Sequence, residues 1–182
     1  MSIKVKIISL LAVLVIFISF LVAGVYASAS TNLQATGSLV YDIPDATNDF
    51  GYLTFEYVSE TDKTLSITGF SEGIPTTVEI PPRVKYGESD IVCEIVSIGA
   101  SAFENCTSIT KVQLPTTLTE IGNSAFNGCT GLVNITINDS TPPTLGTTAI
   151  PDSSTIYVPA GSEGTYASSW GLDASRFSSI TA

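Results

Sequence analysis

The chain has no histidine among its 182 residues. That removes Ser-His-Asp and Cys-His catalysis, the commonest general base and the usual zinc sites. No glycine loop of the phosphate-cradling kind occurs either. Basic residues are scarce, seven against seventeen acidic. Two of the seven, Lys4 and Lys6, lie near the amino terminus, so from Ser30 onward five cations face all seventeen acids, a balance of −12. Such a surface repels phosphate backbones and argues against nucleic acid as a partner. Cysteine is sparse and odd in number: Cys93, Cys106 and Cys129 cannot form a complete disulfide framework. Free thiols that pack as small hydrophobes are expected.

Long apolar runs are missing after the first 29 residues, which makes that segment stand out. Lys4 and Lys6 precede an apolar stretch from Ile7 to Val25, followed by Ala27-Ser28-Ala29. A basic start, an apolar centre and a small-x-small exit describe a secretory signal peptide. The stretch is also long enough to span a bilayer as an uncleaved anchor. Both readings place the remainder outside the cytoplasm, secreted or at the cell surface. Residues 30–50 are polar and turn-rich and read as a linker. Asp42, Asp45, Asn48 and Asp49 fit no calcium loop, because its glycine and closing glutamate are absent.

What the chain does have is a repeat. IGASAFENCTSITKVQL at 98–114 recurs as IGNSAFNGCTGLVNITI at 121–137, a shift of 23 residues throughout. A period in the twenties marks stacked units that bury their apolar faces against one another. An earlier copy starts at VEIPPRV, 78–84, where Val78, Ile80, Pro81 and Val84 align with Val112, Leu114, Pro115 and Leu118. This copy is 11 residues longer than the period, and the excess around YGESDIVCE reads as a loop or short hairpin. A third copy has Leu145-Gly146 and Ala149-Ile150 in place of Ile-Gly and Ala-Phe, and a further strand falls at Ile156-Tyr157-Val158. Within each unit, alternating apolar residues predict a short strand pairing in parallel with its neighbours. Gly122 reads as a tight bend, and Ser124-Ala125-Phe126 as a single helical or 3₁₀ turn. Upstream, LTFEY and LSITGF alternate around a polar turn and predict a β-hairpin. Downstream, Tyr166 and Trp170 share one helical face and read as a packing pair.

On these motifs, Ile-Gly, Ala-Phe, Cys and then Leu/Ile-x-x-Val/Ile-x-Leu/Ile, the chain resembles the BspA-type leucine-rich repeat family from about residue 53 to 182. The resemblance implies an α/β solenoid: a short right-handed leucine-rich repeat with a parallel β-sheet and short helical or 3₁₀ turns. It also implies a C-terminal helical cap, and the upstream hairpin reads as an N-terminal β-hairpin cap. The expected organisation is 1–29 signal or anchor, 30–50 linker, 51–74 capping hairpin, 75–160 repeats and 161–182 C-terminal cap. Members of the family are associated with binding host surface and matrix components.

Period-two geometry puts Thr77, Lys111, Asn134 and Thr155 in one outward row and Glu79, Gln113, Thr136 and Tyr157 in the next. The candidate partner-binding residues are therefore Tyr157, Gln113, Thr136, Glu79, Lys111 and Asn134. Tyr157 leads, because tyrosine is favoured at interface anchors. The expected function is a non-catalytic, monomeric, secreted or surface-displayed module that binds an extracellular protein or glycoconjugate in an adhesion-type role. No cofactor, metal or catalytic residue is expected, and contact with membrane only through an uncleaved anchor. A structural envelope component without a dedicated ligand is the alternative. A carboxylate-dependent hydrolase is a remote one, since Glu56, Asp62, Glu79 and Glu120 fall on hairpin, strand and turn positions without an evident cleft. Asn105-Cys106-Thr107, Asn134-Ile135-Thr136 and Asn138-Asp139-Ser140 also satisfy the N-glycosylation rule.

Overall fold

A computed structural model describes residues 43–45, 49–86 and 91–180. The expected signal or anchor segment, and most of the expected linker, lie outside them. The alternating LTFEYVS and TLSITGF form β1 (Leu53–Ser59) and β2 (Thr64–Phe70), an antiparallel pair with Leu53 opposite Phe70. Leu53, Phe55, Leu65 and Ile67 are buried, and Thr54 and Glu56 are exposed, as the alternation requires.

Three short strands of the repeats, β3 (Thr77–Glu79), β6 (Lys111–Leu114) and β8 (Asn134–Ile137), pair in parallel with one another, and β8 pairs with β10 (Thr155–Val158). Their inward residues share one register row, Val78 to Val112 to Ile135 to Ile156, each at most 2% exposed. Burying each aliphatic side chain in this row stabilises the fold by about 1.5–3 kcal/mol. The 11-residue excess in the first copy leaves this ladder intact: Val78 sits opposite Val112. The extra residues form an antiparallel hairpin of β4 (Arg83–Tyr86) and β5 (Ile91–Ile98) that buries Cys93.

A second sheet departs from the sequence reading. Ile98 and Ile121 return the chain to the core and Leu145 is half-buried against it, each within a strand. The strands β5, β7 (Glu120–Ile121) and β9 (Thr144–Leu145) pair in parallel in the order β1-β2-β5-β7-β9, with β4 alongside β5. Each regular unit therefore gives one strand to each sheet. Among the described residues the two sheets are separate ladders. Two-residue strands are too short to show alternation, so the sequence concealed them.

The segments around the two phenylalanines also differ from expectation. Ser101, Ser124 and Thr148 occupy the left-handed region, with φ of 57°, 56° and 50°. A residue there cannot continue a helix, so of the expected helical or 3₁₀ turn only i→i+3 hydrogen bonds of the 3₁₀ type appear, in successive separate turns. Ala125 N–H donates to Gly122 O, Asn127 N–H to Ser124 O and Cys129 N–H to Phe126 O. The intervening amides reach the next unit: Ser101 N–H to Asn123 O, Phe103 N–H to Ala125 O, Phe126 N–H to Ala149 O. The turns thus satisfy alternate donors internally and the rest between units. Stacking of Phe70 on Phe103 (6.1 Å between centroids) and Phe103 on Phe126 (5.0 Å) fills the interior beneath them.

Gly122 opens a turn, its carbonyl accepting from Ala125 N–H, and it also lies against the preceding unit. A Cβ there would lie 2.6 Å from Ala100 N, and one on Gly146 would lie 2.4 Å from Asn123 N. The glycine allows one unit to press its backbone against the preceding one.

The carboxyl-terminal stretch forms helix α1 (Glu163–Trp170), a 3₁₀ turn at Ala174–Arg176 and a strand, β11 (Phe177–Ser179), that pairs in parallel with β10. The sequence reading ended at the helix; β11 extends the parallel sheet to the order β11-β10-β8-β6-β3. Tyr166 is fully buried and donates to Asp139 O at 2.8 Å, and Trp170 Nε1 donates to Pro143 O at 2.8 Å. Their rings meet edge to face at 5.1 Å. The Glu163 carboxylate accepts from the Ser179 hydroxyl and from Gly161 N–H, tying the helix start to β11. Part of the expected linker is held as well: Asp45 bridges to Lys85, and Lys85 N–H donates to Pro44 O at 2.8 Å.

Candidate functional site

The outward face of the five-stranded parallel sheet follows from the same register that builds the core. With Val78, Val112, Ile135 and Ile156 inward, the residues before and after them must face out. Thr77, Lys111, Asn134 and Thr155 are paired in one row, and Glu79, Gln113, Thr136 and Tyr157 in the next. These are the two rows expected from the sequence.

Between the rows lies a shallow depression of about 260 Å³, floored by Val112 and lined by Thr77, Lys111, Gln113, Asn134, Thr136 and Tyr157. Five of the six candidate residues therefore converge on it. Glu79, the sixth, is exposed on edge strand β3 and lies outside the lining. Lys111 is the cation in this lining, and among the described residues it has no carboxylate within 4.0 Å; the ion pair among those residues lies outside the lining and joins Arg176 to Asp152 at 3.4 Å. The site thus presents hydroxyls, two side-chain amides, one ammonium and one aromatic ring. Such a set can donate and accept hydrogen bonds and hold one negative charge.

Sequence reasoning missed Ser178, which β11 places beside Tyr157 at the end of the second row. Only Phe177 in that strand is apolar and buried, so no alternation announces it. Elsewhere, the three thiols are buried and form no disulfide. Burial pushes the Cys129 thiol up to about 11, and its Sγ donates to Phe103 O at 2.9 Å. Burial likewise raises the Tyr166 phenol. Among the described residues no three His, Cys, Asp or Glu side chains gather as a metal site.

The fold and its site define a tandem-repeat protein with a strand of each sheet in every regular unit. Residues 87–163 match the family described as the BspA type leucine rich repeat region (6 copies). Over these residues the chain resembles the BspA-type leucine-rich repeat family. Among solved structures, the chain is similar to a leucine rich cell surface protein from Faecalibacterium prausnitzii A2-165, with 32% identity, 58% of this chain and 28% of that one covered, and a TM-score of 0.49. A leucine-rich repeat protein from Bacteroides ovatus ATCC 8483 shows 27% identity over 59% of this chain and 36% of its own, with a TM-score of 0.43. Another, from Bacteroides capillosus ATCC 29799, shows 26% identity over 60% and 96%, with a TM-score of 0.46. The chain therefore spans well under half the length of the first two. No curated protein matches it.

Proposed function

We propose that the chain is a secreted or surface-displayed, non-catalytic leucine-rich repeat module that recognises an extracellular protein or glycoconjugate through the outward face of its parallel sheet. In this reading the units wind as a short right-handed solenoid over residues 75–160. Hairpin β1–β2 closes one end, and α1 with β11 closes the other. The basic-apolar-small pattern of residues 1–29 supports export, and the family match over 87–163 supports a repeat surface as the working part.

One observation carries the reading: the register gathers Lys111, Gln113, Asn134, Thr136 and Tyr157, from three different repeats, around one depression. A row of side chains drawn from successive units is the means by which repeat proteins build a binding surface. The test is capture by the immobilised chain from an extract of extracellular matrix and mucin. Tyr157→Ala and Gln113→Ala are each expected to weaken capture about tenfold, the cost of about 1.4 kcal/mol at a central contact. Capture unchanged by both substitutions would show that the face is not the site. No capture at all would favour an envelope component without a dedicated ligand.

A further inference from the structure

The area of the face bears on which class of partner it fits. Five strands spaced by about 4.8 Å and about 13 Å long offer roughly 250 Å². A stable protein interface covers about 800 Å² on each side. The face alone is therefore smaller than a stable protein interface, and a protein partner would have to reach beyond it. Its depression, about 260 Å³, also falls just short of the roughly 300–1,000 Å³ of sites that engulf a whole drug-sized ligand. It matches a small group presented at the end of a longer molecule.

The lining says which group. Thr77 and Thr136 offer hydroxyls, and Gln113 and Asn134 offer amides, groups that both donate and accept and so can pair with the vicinal hydroxyls of a sugar ring. Tyr157 adds an aromatic ring with a polar tip, suited to the half-apolar faces of a pyranose. Lys111 adds a point charge that no carboxylate of the described residues satisfies within 4.0 Å. With twelve more acidic than basic residues from Ser30 onward, a long polyanion would be repelled, whereas a single charge meeting this one cation would not.

We infer that the depression binds a terminal, singly carboxylated sugar of a glycan, its carboxylate on Lys111 and its ring between Tyr157 and the Gln113 and Asn134 amides. The inference rests on the sheet face being the recognition surface and narrows its partner to one chemistry. Both a sialic acid and a hexuronic acid meet that description.

Two-dimensional amide spectra of the full chain would be recorded with 3′-sialyllactose against lactose, and with cellobiouronic acid against cellobiose. At least one acidic saccharide should shift the amides of Lys111–Leu114, Asn134–Ile137 and Thr155–Val158, and should bind about tenfold more tightly than its neutral counterpart. The pair that responds identifies the source of the carboxylate. Lys111→Gln should abolish that preference while the spectrum stays folded. Lys63→Gln, which removes one charge from the β1–β2 turn, should leave it within about twofold. The inference is overturned if neither acidic saccharide shifts those amides, if the neutral sugars bind equally, or if Lys111→Gln keeps the preference. If it falls while Tyr157→Ala still weakens capture of a protein about tenfold, the recognition face stands without the sugar. If neither saccharide binds and capture ignores Tyr157, both readings fall together.

Discussion

Gly122 and Gly146 decide how closely one repeat can lie on the last. Any side chain at Gly122 would meet Ala100 N at 2.6 Å, a distance that backbone cannot yield cheaply. Gly122→Ala is therefore expected to cost about 1–3 kcal/mol. Gly164 is the control, because a Cβ there meets nothing within 4 Å and the residue sits in α1. Gly164→Ala should gain up to about 1 kcal/mol through helix propensity and a less free unfolded chain. Urea midpoints check both, and a Gly122→Ala protein as stable as the parent would contradict the stacking account. The recurrence of Ile-Gly was plain in the sequence, but its reason was not. A glycine that turns the chain and one that admits a neighbouring backbone are the same letter.

Cys129 supplies a second prediction at this scale. Its thiol is neutral and buried, with its pKa raised from 9.0 to about 11, chiefly by burial. The stabilisation it gives is fully present below pH 9 and is lost as the pH rises through about 11. The buried Tyr166 phenol shifts in the same direction and adds to the alkaline loss. Urea midpoints should fall across this range, and Cys129→Ala should flatten part of the fall. A midpoint independent of pH from 9 to 11 would refute it.

Elements differ in how much of themselves the sequence displays. Strands β1, β2, β6, β8 and β10 have enough residues to alternate, and their positions and facing were legible. β7 and β9, with two residues each, and β11, with one buried apolar residue, were not. The turns around Phe103 and Phe126 misled because Ala-Phe after a small residue resembles a helical turn, whereas Ser101 and Ser124 take the left-handed region. The helix α1 was visible through Tyr166 and Trp170, and its attachment is testable. Tyr166→Phe removes the donor to Asp139 O and Thr141 O and should cost about 1–2 kcal/mol by urea melting. Removing everything after Val158 strips α1 and β11 from the last repeat. The truncated chain should lose its cooperative transition; a sharp melt at the parent temperature would show that the segment is not needed.

At the scale of the whole molecule, few units must supply all the stability. In stacked repeats each unit contacts only its neighbours, so the first and last need cover from outside the repeat. The same register that buries Val78, Val112, Ile135 and Ile156 aligns the outward rows, so core and candidate site follow from one periodicity. That is why the site rows were legible at the sequence level although the second sheet was not: the site needs only period-two alternation in strands long enough to show it. The depression between the rows, and the exclusion of Glu79 from it, needed coordinates. Hydrogen exchange of the full chain, measured with and without its captured partner, tests the central claim most directly. The account predicts new protection in residues 111–114, 134–137 and 155–158, with β1 and α1 unchanged; protection confined to β1 or α1 would contradict it.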